Sequence, residues 1–453
     1  MIIKRHAYNS LMLWKTQSKR KPLLIRGARQ VGKTTLVRSF SQEFKNYVEL
    51  NLERENDKKF FEISDDITVI LNAIFLSSGK RYEPSNTLLF IDEIQESPKA
   101  IQMLRFFYED VPDLHIVAAG SLLEFALKDV PSFPVGRISY LNVYPVNFEE
   151  FLFSINLQAV DVFNHIPFPD YAHGTLMKLF HVYAVLGGMP EILSNYLEHR
   201  NMSLLTEKYK ELWLSFRNDA EKYARNNTDR KVLRHVIETA PKEADRITFA
   251  GFGHSAYRSR EVGDALRALD MAKLIYLIYP VTAYEAPMIP NIKKKPRLQF
   301  VDTGMLLNIL QFQGEVVGVN DLNDFYRGKF IHHLACQELM SIHKDIFFRA
   351  HFWVKENKDS NAEIDIVFQH GRLVIPIEVK SGKAGTLRSL HQFMENAPHQ
   401  YAIRLYAGNF SVEKVRTPNG NSFFLMNLPY FLASKIPDYI NYFVNTYKIN
   451  EED

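Results

Sequence analysis

Apolar residues along this chain gather into short dense runs, and the segments between them carry apolar residues at helical spacing. Residues 22–26 (PLLIR), 88–91 (LLFI) and 114–119 (LHIVAA) are continuous apolar runs of strand length, the pattern of strands covered on both faces. Residues 47–52 alternate apolar and polar, and 138–144 read as a further strand. Apolar positions 36, 37, 40 and 44 predict a helix over 34–44, and helices are also predicted over 67–74 and 98–108, with Pro98 suited to a first turn. The first twenty or so residues read as a helix with Leu11, Leu13 and Trp14 on its apolar side. Strands alternating with helices imply a parallel sheet with helices on both faces, whose ligands sit at the C-terminal strand ends.

The pattern changes further on. Asn147-x-x-Glu150 has the form of a capping box for a helix through Phe153. From about 155 to 230 the chain is helical, broken by Gly187-Gly188 ahead of Met189-Pro190. Helices over 231–239 and 261–269, then a strand over 272–279, suggest a winged helix, which resembles the helix-turn-helix readers of DNA. Arg258, Arg260 and Arg267 fall on or near its second helix, and a module used only for packing is equally open. The basic run Lys293-Lys294-Lys295-Pro296-Arg297 reads as a solvated loop. After about 315, residues 363–367 and 374–380 are strands joined by a turn at 369–372. Glu363 and Asp365 share one face, as do Glu378 and Lys380, so a hairpin brings Asp365, Glu378 and Lys380 together. Pro376 argues for an edge strand or a bulge.

Composition bounds the rest. With 453 residues the chain holds several domains, and 46% hydrophobic content suffices for packed cores. A net charge of +3 gives no bulk argument for nucleic acid or membrane. The one cysteine, Cys336, excludes an internal disulfide and fits a reducing compartment. No uncharged apolar run is long enough to span a bilayer, and charges stand where a signal peptide needs an apolar core. A cytoplasmic protein without a membrane partner is expected.

Chemistry enters at Gly27-Ala28-Arg29-Gln30-Val31-Gly32-Lys33-Thr34, followed by Thr35, which fits G-x-x-x-x-G-K-[ST] at every fixed position. Between a strand and a helix, such a loop leaves backbone N–H groups to cradle phosphate oxygens. Lys33 then reaches the β- and γ-phosphates of ATP, and the Thr34 hydroxyl meets Mg²⁺. The run ending in Asp92-Glu93 looks like a Walker B strand, with Asp92 holding Mg²⁺ and Glu93 polarising the attacking water. Ser121, just past 114–119, is a candidate γ-phosphate sensor or a cap for a helix over 122–127. Arg137 is a candidate to stabilise transferred-phosphate charge, in its own chain or a neighbour's, against the plainer reading of a surface arginine. In the C-terminal region Asp365 and Glu378 are candidate Mg²⁺ ligands, with Lys380 to orient water or offset charge.

Taken in order, PLLIRGARQVGKTTL, TLLFIDEIQ, GRISYLNVYPVNFEEF, GGMPEIL, LQFVDTGML and AEIDIVF…IPIEVKSG resemble the bacterial and archaeal family of AAA-type P-loop ATPases with a C-terminal restriction-endonuclease-like domain. The resemblance implies an α/β P-loop sheet domain (1–155), a helical linker (156–230), a winged-helix-like domain (231–314) and a nuclease-like α/β domain (315–453). It implies ATP binding and hydrolysis. One position departs from the family pattern: where members carry glutamate in G-x-x-x-E-H, this chain has His332. Imidazole is a poorer Mg²⁺ ligand than carboxylate, which counts against metal-dependent cleavage. The leading expectation is an Mg²⁺-dependent ATP hydrolase acting as a switch for its C-terminal domains. The alternative is an ATP-gated DNA-binding or DNA-processing enzyme. DNA, protein partners and self-association stay open.

Overall fold

The apolar runs of the N-terminal part become the strands of a single parallel sheet. The structure, a computed structural model, describes residues 3–121, 134, 136–222, 224, 226–243, 246–316, 322, 328–343, 345, 347–355, 362–380 and 387–448. The chain divides into two compact units. One comprises Lys4–Tyr144 with Met271–Leu274, and the other Met1–Ile3, Pro145–Asp270 and Ile275–Asp453.

In the first unit, helix α1 (His6–Lys15) buries Leu11 and Trp14. Strand β1 (Leu23–Arg26) runs through the glycine loop into α2 (Lys33–Phe40). Then follow β2 (Asn46–Asn51), α3 (Ile67–Ser78), β3 (Thr87–Asp92), α4 (Pro98–Asp110), β4 (His115–Ala119) and β5 (Ser139–Asn142). The strand order is β2-β3-β4-β1-β5, parallel throughout. Every residue of β1, β3 and β4 is buried, because helices pack on both faces. Ile70 and Ile74 of α3 and Ile101 and Leu104 of α4 meet one face at Leu89, Ile91 and Ala118. On the other face the rings of Trp14 and Phe44 meet His115. Helix α4 starts as its sequence suggests: the Ser97 hydroxyl accepts from Ala100 N–H, and Pro98 occupies the first turn.

The second unit opens on α5 (Phe148–Ile155), whose capping box is complete: Glu150 N–H donates to Asn147 Oδ1 at 2.9 Å and Asn147 N–H to Glu150 Oε2 at 3.2 Å. Helix α6 (His173–Leu186) ends at Gly187, and Pro190 begins α7 (Pro190–His199). Helices α8 (Leu205–Glu221), α9 (Asn227–Thr239) and α10 (Ser259–Met271) complete a helical run. Strand β6 (Ile275–Ile278) is antiparallel to β7 (Arg297–Phe300). It begins three residues later than the sequence suggests, since Lys273 adopts φ 61° and breaks the strand.

Asp302 caps α11 (Thr303–Ile309) by accepting Met305 N–H, and it also accepts Gly188 N–H at 2.5 Å. The glycines there are close-packed. A Cβ on Gly187 would lie 2.4 Å from Asp302 Oδ1, and one on Gly304 2.2 Å from the Leu186 carbonyl oxygen. Helix α12 (Lys329–Ile342) follows. Then β8 (Trp353–Val354) pairs with β9 (Glu363–Ile364).

The C-terminal sheet contains β10 (Ile366–His370), β11 (Leu373–Val379), β12 (Tyr401–Tyr406), β13 (Ser411–Arg416) and β14 (Ser422–Pro429), in the order β10-β11-β12-β14-β13. Its outer pairs are antiparallel and its inner pairs parallel. Strand β11 is thus interior, not an edge. Pro376 lies one residue before the pairing with β12 starts at Ile377, where β11 has a strand neighbour on one side only. Helix α13 (Arg388–Met394) supplies Leu390, Phe393 and Met394 to a core shared with Val367, Val374, Ala402 and Trp353. The segment after β6 runs along this layer. Val281 sits in the same core with Tyr284 and Met288 against it, and Val281 N–H donates to the Phe352 carbonyl. The fold is mixed α/β: a parallel P-loop-type sheet, a helical region, then further α/β sheets.

Candidate functional site

The glycine loop sits at the C-terminal end of β1, and its neighbours on the sheet decide what faces it. Strand β4 lies beside β1, and β3 lies beyond it. Asp92 ends β3, and Gly120-Ser121 follows β4, with Gly120 N–H donating to the Ile25 carbonyl. Gly27–Thr35, Asp92, Glu93 and Ser121 therefore share one end of the sheet. Ser121 is buried, and the helix it was expected to cap, 122–127, lies outside the described residues.

Backbone geometry explains the loop's composition. Gly32 adopts φ 91° as the residue before α2, where a side chain would be strained. Gly27 has φ 151°, and a Cβ there would stand 2.1 Å from the Val143 carbonyl oxygen. Ala28 and Val31 are buried, Arg29 is half-buried, and Gln30, at φ 61°, is exposed, as is Thr35. The Lys33 ammonium is buried in the curl and donates to the Gly27 and Ala28 carbonyls at 3.1 and 2.8 Å. The Arg5 guanidinium, which the sequence reading missed, ties the loop down by donating to the Val31 carbonyl at 2.9 Å and to that of Tyr144.

The Thr34 hydroxyl donates to Asp92 Oδ2 at 2.7 Å. Burial, and after it the neighbouring Glu93 charge, raise the Asp92 carboxyl above its ordinary range despite that hydrogen bond. A hydroxyl and a buried carboxylate held this close fit a shared Mg²⁺, whose charge would offset the burial cost. Glu93 turns the chain off β3 in the left-handed region, at φ 51° and ψ 45°, and its Oε2 accepts from Gln95 Nε2 at 2.6 Å. Gln95 was not anticipated. Its only signal in the sequence is its place two residues after Glu93.

Arg137 is not brought to this end. It precedes β5, whose first residue pairs with Leu23 at the start of β1, so it stands at the opposite end of the sheet. There Glu109 holds its guanidinium at 2.9 Å. The reading of Arg137 as a group acting on phosphate within its own chain is corrected accordingly.

A second constellation lies in the other unit. The β10–β11 hairpin places Asp365 near Glu378 and Lys380. Val379 N–H donates to Asp365 Oδ2 at 3.0 Å, and the Lys380 ammonium sits 2.8 Å from Glu378 Oε1. Glu378 is buried, which raises its carboxyl, and the Asp365 charge adds to the effect. His332 projects from α12 into the same place, with Nε2 3.1 Å from the Asp365 carbonyl oxygen. Burial, then the Arg297 charge, lowers this imidazole to about 4, so it is neutral.

The sequence reading placed Arg297 in a solvated basic loop. Lys293 and Lys295 are indeed exposed, but Arg297 opens β7 and ion-pairs with Glu363. Alternation over Arg297-Leu298-Gln299-Phe300 was the available sign of a strand. Among the described residues, no group of three or more His, Cys, Asp or Glu side chains is placed to hold a metal ion. The expectation that Asp365 and Glu378 serve as metal ligands thus meets side chains already paired with cations of the chain. A cavity of about 280 Å³ adjoins the cluster, lined by Arg297, Lys380 and His332 with Phe300, Leu310 and Phe312 on its apolar side. Arg258, just before α10, and Arg260 on it are exposed, and Asp264 lies 4.0 Å from Arg260 and 2.7 Å from Arg267. Among the described residues no helix is long and apolar enough to cross a membrane.

Comparison with known proteins agrees with the first site. Residues 19–152 match the family described as an AAA domain, so this part of the chain is a domain of AAA type. Residues 177–315 and 327–431 match two domains of unknown function (DUF8612 and DUF4143). No curated protein matches the chain. Among solved structures, it is similar to the Walker-type ATPase PABY2304 of Pyrococcus abyssi, at 15% identity and TM-score 0.43, over 68% of this chain and 96% of that one. It is also similar to the Holliday junction branch migration motor RuvB of Thermotoga maritima, at 18% identity and TM-score 0.29, over 64% and 93%. C. elegans PCH-2 matches at 16% identity and TM-score 0.29, over 46% and 64%.

Proposed function

We propose that the chain is an Mg²⁺-dependent ATP hydrolase whose nucleotide state acts as a switch for its C-terminal domains. The single observation that carries this reading is the Thr34–Asp92 hydrogen bond at the mouth of the glycine loop, with Glu93 next in sequence. Backbone N–H groups of 27–35 receive the phosphates at the N-terminus of α2. Lys33 would neutralise the β- and γ-phosphates, and Thr34 with Asp92 would hold the metal. Mg²⁺, when bound, offsets charge on the phosphate oxygens. Glu93 accepts a proton from the attacking water, and Ser121, which follows β4 at the same end of the sheet, contacts the γ-phosphate end in this reading.

Two variants test the reading. Lys33→Ala is expected to abolish ATP binding. Glu93→Gln is expected to bind ATP but to hydrolyse it roughly 10²-fold or more slowly, the worth of a general base. Wild-type turnover by Glu93→Gln, followed by phosphate release, would remove Glu93 from the mechanism.

A second reading, an ATP-gated DNA-binding or DNA-processing enzyme with a restriction-endonuclease-like C-terminal domain, draws support from the meeting of Asp365, Glu378 and Lys380 on one hairpin. The exposed Arg258 and Arg260 would then contact phosphates from a winged-helix-like module. An ATPase rate unchanged by added duplex DNA, with no binding at low salt, would leave the switch reading alone.

A further inference from the structure

The acidic cluster of the C-terminal region is organised around a cation that the chain itself supplies. The guanidinium of Arg297 ion-pairs with Glu363 through one terminal nitrogen, which also lies 3.7 Å from Asp365 Oδ1. The other terminal nitrogen donates to the Asp365 carbonyl oxygen at 3.2 Å and approaches His332 Nε2 at 3.1 Å. Nε2 is equally close, at 3.1 Å, to the Asp365 carbonyl oxygen, so it either accepts from the guanidinium or donates to that carbonyl, and in both cases it is engaged by the chain itself. The guanidinium carbon lies over the ring of Phe352, 4.4 Å from its centroid, a cation–π contact. Arg246 occupies the second oxygen of Glu363 at 3.2 Å. Glu378 in turn has Lys380.

Most oxygens that a divalent cation would use are thus already committed; the exception is the buried Glu378 Oε2, which has no hydrogen-bond partner, and a single oxygen beside the fixed charges of Lys380 and Arg297 does not make a divalent site. Asp365 Oδ2 accepts a backbone N–H, Oδ1 faces the guanidinium, and the imidazole Nε2 lies 3.1 Å from both the guanidinium and the Asp365 carbonyl oxygen. Mg²⁺ requires oxygens at about 2.1 Å in near-octahedral array. An ion at that distance from Asp365 Oδ1 would stand against a fixed positive charge of the protein. The residues present do not fit a divalent cation.

We propose that Arg297 is the permanent counter-ion of this site, standing where a two-carboxylate site would hold a divalent metal, so that the C-terminal domain works without one. His332 completes the arrangement: a carboxylate there would add negative charge and favour a metal, whereas an imidazole adds none and lies 3.1 Å from the guanidinium. Nothing in this proposal depends on ATP hydrolysis.

The test is a Mn²⁺ titration of the full-length, nucleotide-free protein, with free Mn²⁺ read by electron paramagnetic resonance. Wild type and Asp365→Asn are expected to bind the same number of ions, since any ion at the glycine loop is common to both. Arg297→Met should gain one further ion per chain, which the Arg297→Met/Asp365→Asn double variant loses. An ion bound by wild type and lost in Asp365→Asn overturns the proposal, and this comparison stands even if Arg297→Met does not fold. Failure of Arg297→Met to gain an ion, with a native circular dichroism spectrum, overturns it as well.

Discussion

At the tip of β3, residues 92, 93 and 95 divide three tasks between them. Asp92 is buried against Thr34, Glu93 turns the chain outward, and Gln95 grips the Glu93 carboxylate at 2.6 Å. A general base is worth its full factor only when aimed, and a shift of about an ångström can cost roughly a hundredfold. Gln95→Ala is therefore expected to lower kcat for ATP by about ten- to a hundredfold while leaving nucleotide affinity intact. Steady-state turnover beside equilibrium binding checks this, and an unchanged kcat would reduce Gln95 to a surface contact. A second residue, Glu338, makes a prediction about pH. It is fully buried, and its carboxylate accepts from Tyr183 and from Phe148 N–H. Burial, with Glu150 and Glu149 next, raises it to about 7. A carboxyl raised in the folded state favours folding fully at pH below its ordinary range, and that contribution is lost as pH rises through about 7. Glu338→Gln keeps an acceptor oxygen but cannot ionise. Its melting temperature should vary less than wild type between about pH 5 and 8, the difference amounting to on the order of 3 kcal/mol. Parallel profiles would show that Glu338 does not ionise in that window. The glycine loop and the Asp-Glu pair were legible because their parts are consecutive in the chain. Arg297 was not, since its partners lie 35 to 68 residues away and its neighbours are ordinary surface lysines.

Most elements appeared where the apolar pattern put them. A fully buried strand such as β3 is apolar without a break from Leu88 to Ile91, between Thr87 and Asp92, so its bounds could be read directly. The segment after β6 could not be read this way, because alternation declares a strand but not its partner. The joint between α6, α7 and α11 is another feature of this kind. Gly187, Gly188 and Gly304 looked like a helix break and a resemblance motif, and only the structure shows the 187–188 turn and the start of α11 converging at the Asp302 carboxylate. Gly187→Ala would force a Cβ against that carboxylate at φ 69°, a strained conformation for any side chain. A loss of roughly 3 kcal/mol or more is expected from strain and crowding together. Chemical denaturation measures it, and a change below about 1 kcal/mol would mean that the joint yields easily.

Over the whole molecule, two units carry two unlike chemistries. The first gathers its site at one end of a parallel sheet, from residues within the first 121. The second draws on β7, α12 and the β10–β11 hairpin, stretches far apart in the chain, and part of the core around it comes from Val281, ahead of the boundary near 315 that the sequence suggested. The tryptophans are distributed between the units as well. Trp14 lies in the first, buried beside Phe40 and His115, with its indole N–H on the Lys21 carbonyl. Trp353 lies in the second, fully enclosed against Phe393 and Tyr284, and the half-buried Trp213 of α8 is there too. Each unit thus carries its own intrinsic fluorophore. A chain with Trp213 and Trp353 replaced by phenylalanine would show tryptophan emission only from the first unit, and one with Trp14 replaced only from the other. The melting of each half could then be followed by its own light, without labels and in the intact polypeptide.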